Sequence, residues 1–211
     1  MLAIDHIVIA SKNPEKDAKE FEEKYGIKYI PGGKHTNWGT FNYLAYFDND
    51  CYIEWLGIFD EQLARNSDNP LVQKLVKQFS SGKSGVYSFA LRTQNMNKEL
   101  EYFTQHSIAY KGPLPGSRKK LDGSTLSWRM LFPDRANLPF LIEWGDGVNL
   151  PDDKSKINTQ QLASVQLPYH PKLYTDTFAL SNEGDIIQLE NGKLLFTTDS
   201  ELDFTLHETN Q

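Results

Sequence analysis

Three ionisable side chains occupy places where an apolar core would not ordinarily carry them. His6 lies in the run Ile4-Asp5-His6-Ile7-Val8-Ile9, Glu54 in Tyr52-Ile53-Glu54-Trp55, and Glu143 in Leu141-Ile142-Glu143-Trp144. A carboxylate inside a buried strand is costly unless it is paired, so each glutamate needs a reason to be there. One reason is chemistry: a carboxylate beside an imidazole can move protons to and from a bound molecule. The other is structural. Glu143 could pair with Arg92 or Arg129, and His6 could bond a backbone carbonyl or Glu54. The residues alone leave both readings open.

A second group surrounds these three. His35 sits in Gly32-Gly33-Lys34-His35-Thr36-Asn37-Trp38-Gly39, a glycine-rich stretch that suits either a pocket-rim acid/base near neutral pH or a histidine bonded within a turn. Asn42, with two donors and one acceptor, could orient a substrate or pin a strand. Ser88, Arg92 and Arg129 complete the expected substrate-facing set, with Glu54, Glu143 and His35 as the catalytic candidates. Trp38, Tyr43, Trp55, Trp128 and Trp144 could stack on a ligand, although strand aromatics commonly serve the core. Cys51 has no neighbouring base, and there is no phosphate loop, dinucleotide fingerprint or Ser/His/Asp signature.

The elements that must position these residues read as a repeat. Val86-Tyr87-Ser88-Phe89-Ala90-Leu91 reopens the pattern of residues 4–9 at a distance of 82 residues. Each run is followed by an amphipathic helix and further strands, the last carrying Glu54 or Glu143. In the first unit, residues 2–10 read as a strand. Asn13 caps a helix, with Pro14 at its first position and Gly26 at its end. A short strand at 27–30 breaks at Pro31-Gly32-Gly33, and strands at 40–47 and 51–58 flank the turn Asp48-Asn49-Asp50. In the second unit the spacing predicts strand 85–92, helix 96–106, and strands 108–112, 124–132 and 139–144. On this alignment Asn42 falls near Ser127. Strand parity places His6 with Glu54, and Ser88 with Glu143, on shared faces.

The organisation is therefore a first βαβββ unit at 1–59, a helical linker at 60–84, a second βαβββ unit at 85–145 and a β-rich extension at 146–211. In the linker, Asn69-Pro70 restarts the helix. The extension opens with a polar stretch, 146–160, and has strands predicted at 173–180, 186–190, 193–198 and 202–207. Asn191-Gly192 signals a hairpin, and no helix is expected in this tail. The fold class is α+β. Two such units side by side continue one sheet and curl it into a half-barrel whose inner face is a pocket for a small molecule.

Bulk composition narrows the partners. The net charge of −6 over 211 residues argues against nucleic acid, and the basic run Ser117-Arg118-Lys119-Lys120 is too short to alter that. No apolar stretch is long enough for a membrane helix. The N-terminus reads straight into a strand rather than a leader, and a single cysteine suits a reducing compartment. A cytoplasmic monomer or homodimer is expected, its partner a small-molecule ligand.

With these residues in view, the chain resembles the vicinal-oxygen-chelate superfamily and its glyoxalase-like branch. The resemblance covers about residues 3–145. It rests on Ile4-Asp5-His6-Ile7-Val8, on the glycine-rich segment leading into Thr40-Phe41-Asn42, and on Tyr52-Ile53-Glu54-Trp55-Leu56. The superfamily includes isomerases, dioxygenases, thiol transferases and non-catalytic drug-binding proteins. In its metal-dependent members the first strands supply His or Gln and the fourth strands supply Glu. Carried over, the resemblance implies His6, Glu54 and Glu143 around one divalent ion (Mn, Fe, Zn or Ni), with Ser88 departing at the fourth place because a hydroxyl is a poor ligand. It equally implies a sequestering protein in which the ligand set is incomplete.

Overall fold

Two bulged edges and one bulged centre shape the sheet that carries the site. In the computed structural model, residues 1–119, 123–145, 147–198 and 201–207 are described. Lys120 of the basic run and Asp146 at the head of the polar connection lie outside them. The first unit runs β1 (Ala3–Ala10), α1 (Pro14–Tyr25), β2 (Ile30–His35), β3 (Thr40–Phe47) and β4 (Cys51–Ile58). The linker holds α2 (Glu61–Asn66) and α3 (Pro70–Ser80). The second unit runs β5 (Gly85–Arg92), α4 (Met96–Gln105), β6 (Tyr110–Lys119), β7 (Thr125–Pro133) and β8 (Phe140–Trp144). The remainder holds β9 (Ile157–Asn158), β10 (Gln161–Pro168), α5 (Pro171–Phe178), β11 (Ile186–Gln188), β12 (Lys193–Thr197) and β13 (Asp203–His207).

The two units lie flank to flank. One mixed sheet has the order β2-β3-β4-β1-β5-β8-β7-β6, with β9 paired to β3. β1 and β5 meet antiparallel at its centre, while β1–β4 and β5–β8 are parallel. Helix ends behave as their residues dictate. Asn13 accepts a bond from the Lys16 amide, Pro14 takes the first position, and Gly26 closes α1 in the left-handed region at φ 67°.

The sheet's two faces bury different cores. On one face Ile7, Ala45, Ile53, Phe89 and Leu141 pack with α1, α4 and the second sheet. On the other, concave face Val8, Leu44, Leu56, Met130 and Ile142 pack with Leu71 and Leu75 of α3. The cup is therefore roofed by the linker helix. The C-terminal sheet (order β11-β12-β10-β13) contributes its buried Leu162, Val165, Leu194 and Phe196 to the opposite core. Among the described residues no helix is long and apolar enough to cross a membrane.

Three expectations fail for identifiable reasons. β2 begins only at Ile30, where the strand expected at 27–30 was to end, and runs through Pro31-Gly32-Gly33 to His35; β6 begins at Tyr110 rather than 108 and runs through Gly112, Pro113, Pro115 and Gly116 to Lys119. Both are edge strands with a register shift, where proline's missing N–H and glycine's freedom are tolerated. The tail does contain a helix: α5 starts at Pro171 and buries Tyr174, Thr177 and Phe178 at helical spacing, where a strand at 173–180 was predicted. β10, the strand between β12 and β13, lacked a predicted counterpart. The Asn191-Gly192 hairpin is present between β11 and β12.

Candidate functional site

A bulge in β1 creates the centre of the site. Ile4 and Ile7 both enter the helix-side core, so the strand cannot alternate strictly between them, and its register with β5 shifts between Ile4 and His6. The shift turns Asp5 and His6 toward each other. Asp5 Oδ1 lies 2.6 Å from His6 Nδ1. Its other oxygen accepts from Trp144 Nε1 at 2.9 Å and from Arg92 Nη1 at 3.3 Å. Asp5 is wholly buried, and this burial is tolerable because three donors surround it. Arg92 is held in turn by the Asp50 carbonyl at 2.6 Å.

His6 pairs with Tyr52 across β1 and β4 and stacks on its ring at 4.6 Å, with the edge of Phe140 at 5.5 Å. Two residues along β4 from Tyr52, Glu54 faces the same way, and its Oε2 stands 3.6 Å from His6 Nε2. Glu54 Oε1 accepts from Asn42 Nδ2 at 2.5 Å, which fixes the amide's orientation. Asn42 Oδ1 is then buried without a partner. It packs so closely on Gly32 that a Cβ there would come within 2.2 Å. With Nδ1 donating to Asp5, His6 turns Nε2 toward a carboxylate. At 3.6 Å the two atoms stand just beyond hydrogen-bond distance, with both residues on the cavity wall.

These residues line a cavity of about 500 Å³, mouth included, under α3. The lining side chains crowd this space closely, so the ligand it suits is small or flat. Trp128, Phe140, Ile142 and Trp144 from the second unit form an apolar wall. His35, Trp38 and Arg118 complete the lining toward the outer strands. His35 bonds Thr40 Oγ1 through Nδ1 at 3.0 Å and sits 5.8 Å from the rings of both Trp38 and Trp128. Burial pushes its pKa below 6.5; Glu54 opposes the shift, while Arg118 and His6 add to it. His35 is accordingly a neutral imidazole at pH 7. Burial likewise raises Tyr46 to about 12 and Tyr52 well above its ordinary value, so both hydroxyls stay protonated.

The remaining candidates are placed elsewhere. Glu143 points away from the cavity, between the lining residues Ile142 and Trp144. Its Oε2 accepts from Arg129 Nε at 2.8 Å and Nη2 at 2.5 Å, and its Oε1 accepts from the Met96 amide at 2.9 Å, the first residue of α4. Glu143 and Arg129 therefore form the structural ion pair, and neither reaches His6 or Glu54. The cause is register. Val8 pairs with Glu54 and its counterpart Ala90 pairs with Phe140, so Phe140 stands where Glu54 does. The Ile-Glu-Trp motif of β8 is displaced three residues from that position, and an odd displacement reverses the face. By the same logic Asn42, opposite Leu56, corresponds to Met130, opposite Ile142, rather than to Ser127. Ser88 is buried opposite Val8 and is not part of the cavity lining, while Arg92 acts through Asp5.

The donor set does not fit a metal ion. Only His6 and Glu54 of the implied ligands share the cup, and Asp5 is committed to three donors. Among the described residues no three of His, Cys, Asp and Glu are grouped to hold one. Four contributors escaped sequence reasoning. Asp5 carried a signal, an acid adjoining His6 in an apolar strand. Arg118 looked like part of a solvated basic run, Asn69 like a helix cap alone, and Asn149 lies in a connection with no pattern.

The family model of the glyoxalase-like domain matches residues 4–175. The chain belongs to the glyoxalase-like domain family. Solved structures share its fold. A hypothetical protein from Staphylococcus aureus is 18% identical with a TM-score of 0.75, covering 93% of this chain and 87% of that one. Residues 1–145 are too few to make up that share of 211, so the match takes in most of the C-terminal extension. Methylmalonyl-CoA epimerase from Streptomyces coelicolor, in complex with 2-nitronate-propionyl-CoA, is 17% identical with a TM-score of 0.50 over 70% of this chain and 98% of that one. A hypothetical protein from Bacillus halodurans is 13% identical with a TM-score of 0.51 over 72% and 99%. No curated protein matches this glyoxalase-like chain. At these identities the likeness is one of fold, the paired-unit vicinal-oxygen-chelate architecture.

Proposed function

We propose that the cup binds a small carbonyl-bearing molecule and that Glu54 moves a proton at the carbon beside the carbonyl, an isomerase- or lyase-type step. The observation that supports this is the buried pair of Glu54 and His6 at 3.6 Å, fixed by Asn42 on one side and Asp5 on the other. A carboxylate held this way has one oxygen committed to an amide and the other turned toward an imidazole and left, among the described residues, without a hydrogen bond, so it can take a proton from a bound molecule. Removing a proton beside a carbonyl places negative charge on the carbonyl oxygen, and Arg118 is the permanently charged cation in the lining to offset it. Neutral His35 carries one N–H and one lone pair, so it can pass a proton at the rim; its bond to Thr40, away from the Glu54–His6 pair, makes it the partner rather than the primary base.

The test uses small 2-oxo acids, 3-oxo acids and aldehydes in D₂O, with exchange of the proton beside the carbonyl followed by NMR. Exchange accelerated by the wild type and lost in Glu54→Gln is the expected result. Saturable binding of these probes without exchange, with each recovered intact, would instead favour capture without chemistry. One observation favours that second reading: at the places where metal-dependent relatives carry ligands, the second unit has Ser88 and Phe140, leaving an aromatic wall suited to holding a flat molecule. No binding of any probe would overturn both readings.

A further inference from the structure

The linker helix carries a polar group that neither repeat unit uses. Asn69 is 1% exposed and lines the cavity from the N-terminus of α3. Three of its four polar groups are engaged. Its amide N–H donates to Ser67 Oγ at 3.1 Å, its carbonyl accepts from Gln73 N at 3.0 Å, and its side-chain Oδ1 accepts from Leu71 N at 2.9 Å. That last bond fixes which end of the amide is nitrogen, and Nδ2 is left buried without a partner. A buried amide N–H₂ that bonds nothing is unfavourable. Gln73, one turn along α3, shows what satisfaction looks like here, with its own amide nitrogen bonded to the carbonyls of Arg65 and Ser67.

We propose that Asn69 Nδ2 is a ligand-binding donor: it takes an acceptor oxygen, a carbonyl or carboxylate, of the molecule held in the cup. Resting on the reading that the cup binds a carbonyl compound, this adds a polar contact from an element outside the two units. The ligand would then be gripped between the sheet, through Glu54 and His6, and the helical roof, through Asn69. A molecule of matching size without an acceptor oxygen would leave Nδ2 unpaired and bind more weakly.

The experiment compares wild type with Asn69→Asp and Asn69→Ser, using calorimetry with pyruvate and 2-oxobutyrate. Both variants keep an oxygen to cap α3; without ligand the serine variant is expected to melt near the wild type, and it carries the comparison if the buried carboxylate destabilises the aspartate variant. Affinity for the oxo acids should fall at least about tenfold in Asn69→Asp, the weight of one hydrogen bond to a charged or strongly polar group. Wild-type affinity in both variants would overturn the Asn69 proposal while leaving the cup's function standing. A wild type that binds neither these acids nor the other carbonyl probes would remove that function and, with it, the donor role.

Discussion

The two βαβββ units share a backbone and divide the labour. At matching places on the concave face the first unit presents His6, Glu54 and Asn42, and the second presents Ser88, Phe140 and Met130. Among the described residues, every acid and imidazole of the cup comes from the first half, and the second half supplies Trp128, Phe140, Ile142 and Trp144 as wall. Among the described residues the wall serves the centre through the hydrogen bond from Trp144 Nε1 to Asp5 Oδ2. Pseudo-symmetry of fold thus says nothing about symmetry of chemistry. A motif repeated in letters can sit on the wrong face when it slips by an odd number of residues.

The sharpest way to break this comparison is to exchange the two glutamates' fates. Glu54→Gln should lower proton exchange by about 10²–10⁴-fold, the usual worth of a positioned general base. Because a carboxamide can still accept from Asn42 and no longer confronts His6 with a charge, its melting temperature should not fall. Glu143→Gln should leave exchange unchanged. If the two variants lose activity alike, the division between a reactive half and a wall half is wrong.

Asp5 is the second test, because it ties the halves together. Asp5→Asn keeps the shape but removes the charge that Arg92 faces in the core, and a buried cation left unpaired costs about 3–5 kcal/mol. A denaturant titration should show a loss of that order. The asparagine amide can also donate to His6 Nδ1, forcing the opposite tautomer and placing N–H at Nε2. Exchange should fall even at temperatures where the variant is folded. A variant of wild-type stability would mean that Arg92 is satisfied by the Asp50 carbonyl alone.

How much of this could be seen in the residues follows from how local each cause is. The cap at Asn13, the turn at residues 48–50 and the return of an apolar strand at Val86 are set by near neighbours, and each is found where expected. The pairing of His6 with Glu54 needed only period-two alternation and a parallel register. What failed needed information from afar. The length of β2 and β6 depends on their being edges, the face of Glu143 on the β5–β8 register, and α5 on the core it enters. Asp5 gains its place from the same bulge that breaks simple alternation, since Ile4 and His6 do not share a face. The C-terminal sheet reaches the site indirectly: Asn191 bonds both Ile4 and the Asn49 carbonyl, bracing the strand and turn beside Asp5 and Arg92.

A smaller effect separates the Glu143–Arg129 pair from the buried centre. Arg129's side chain is 42% exposed and that of Glu143 20%, so solvent screens the attraction and its loss in Glu143→Gln should cost about 0.5–1 kcal/mol. The substituted amide keeps an oxygen for the Met96 N–H, which limits the damage to α4. A cost comparable with that of Asp5→Asn would show that this pair is as desolvated as the cup.

The gentlest probe is pH, and it reads His35 by itself. Burial lowers its pKa in the folded chain below the 6.5 of the unfolded one, so between those two values the unfolded state binds more protons. Stability must then rise with pH across that window, be fully present above about 6.5, and be lost as pH falls toward the folded value, below which the dependence levels off. His35→Gln, which can still bond Thr40, should flatten that acid-side slope while leaving stability at pH 8 close to the wild type's. Should the slope survive the substitution, the proton uptake belongs to other groups and His35 is not held neutral by its place between Trp38 and Trp128. Such a result would also deprive the rim of its neutral acceptor, and with it the distinction between a base held by Asn42 and a partner held by Thr40.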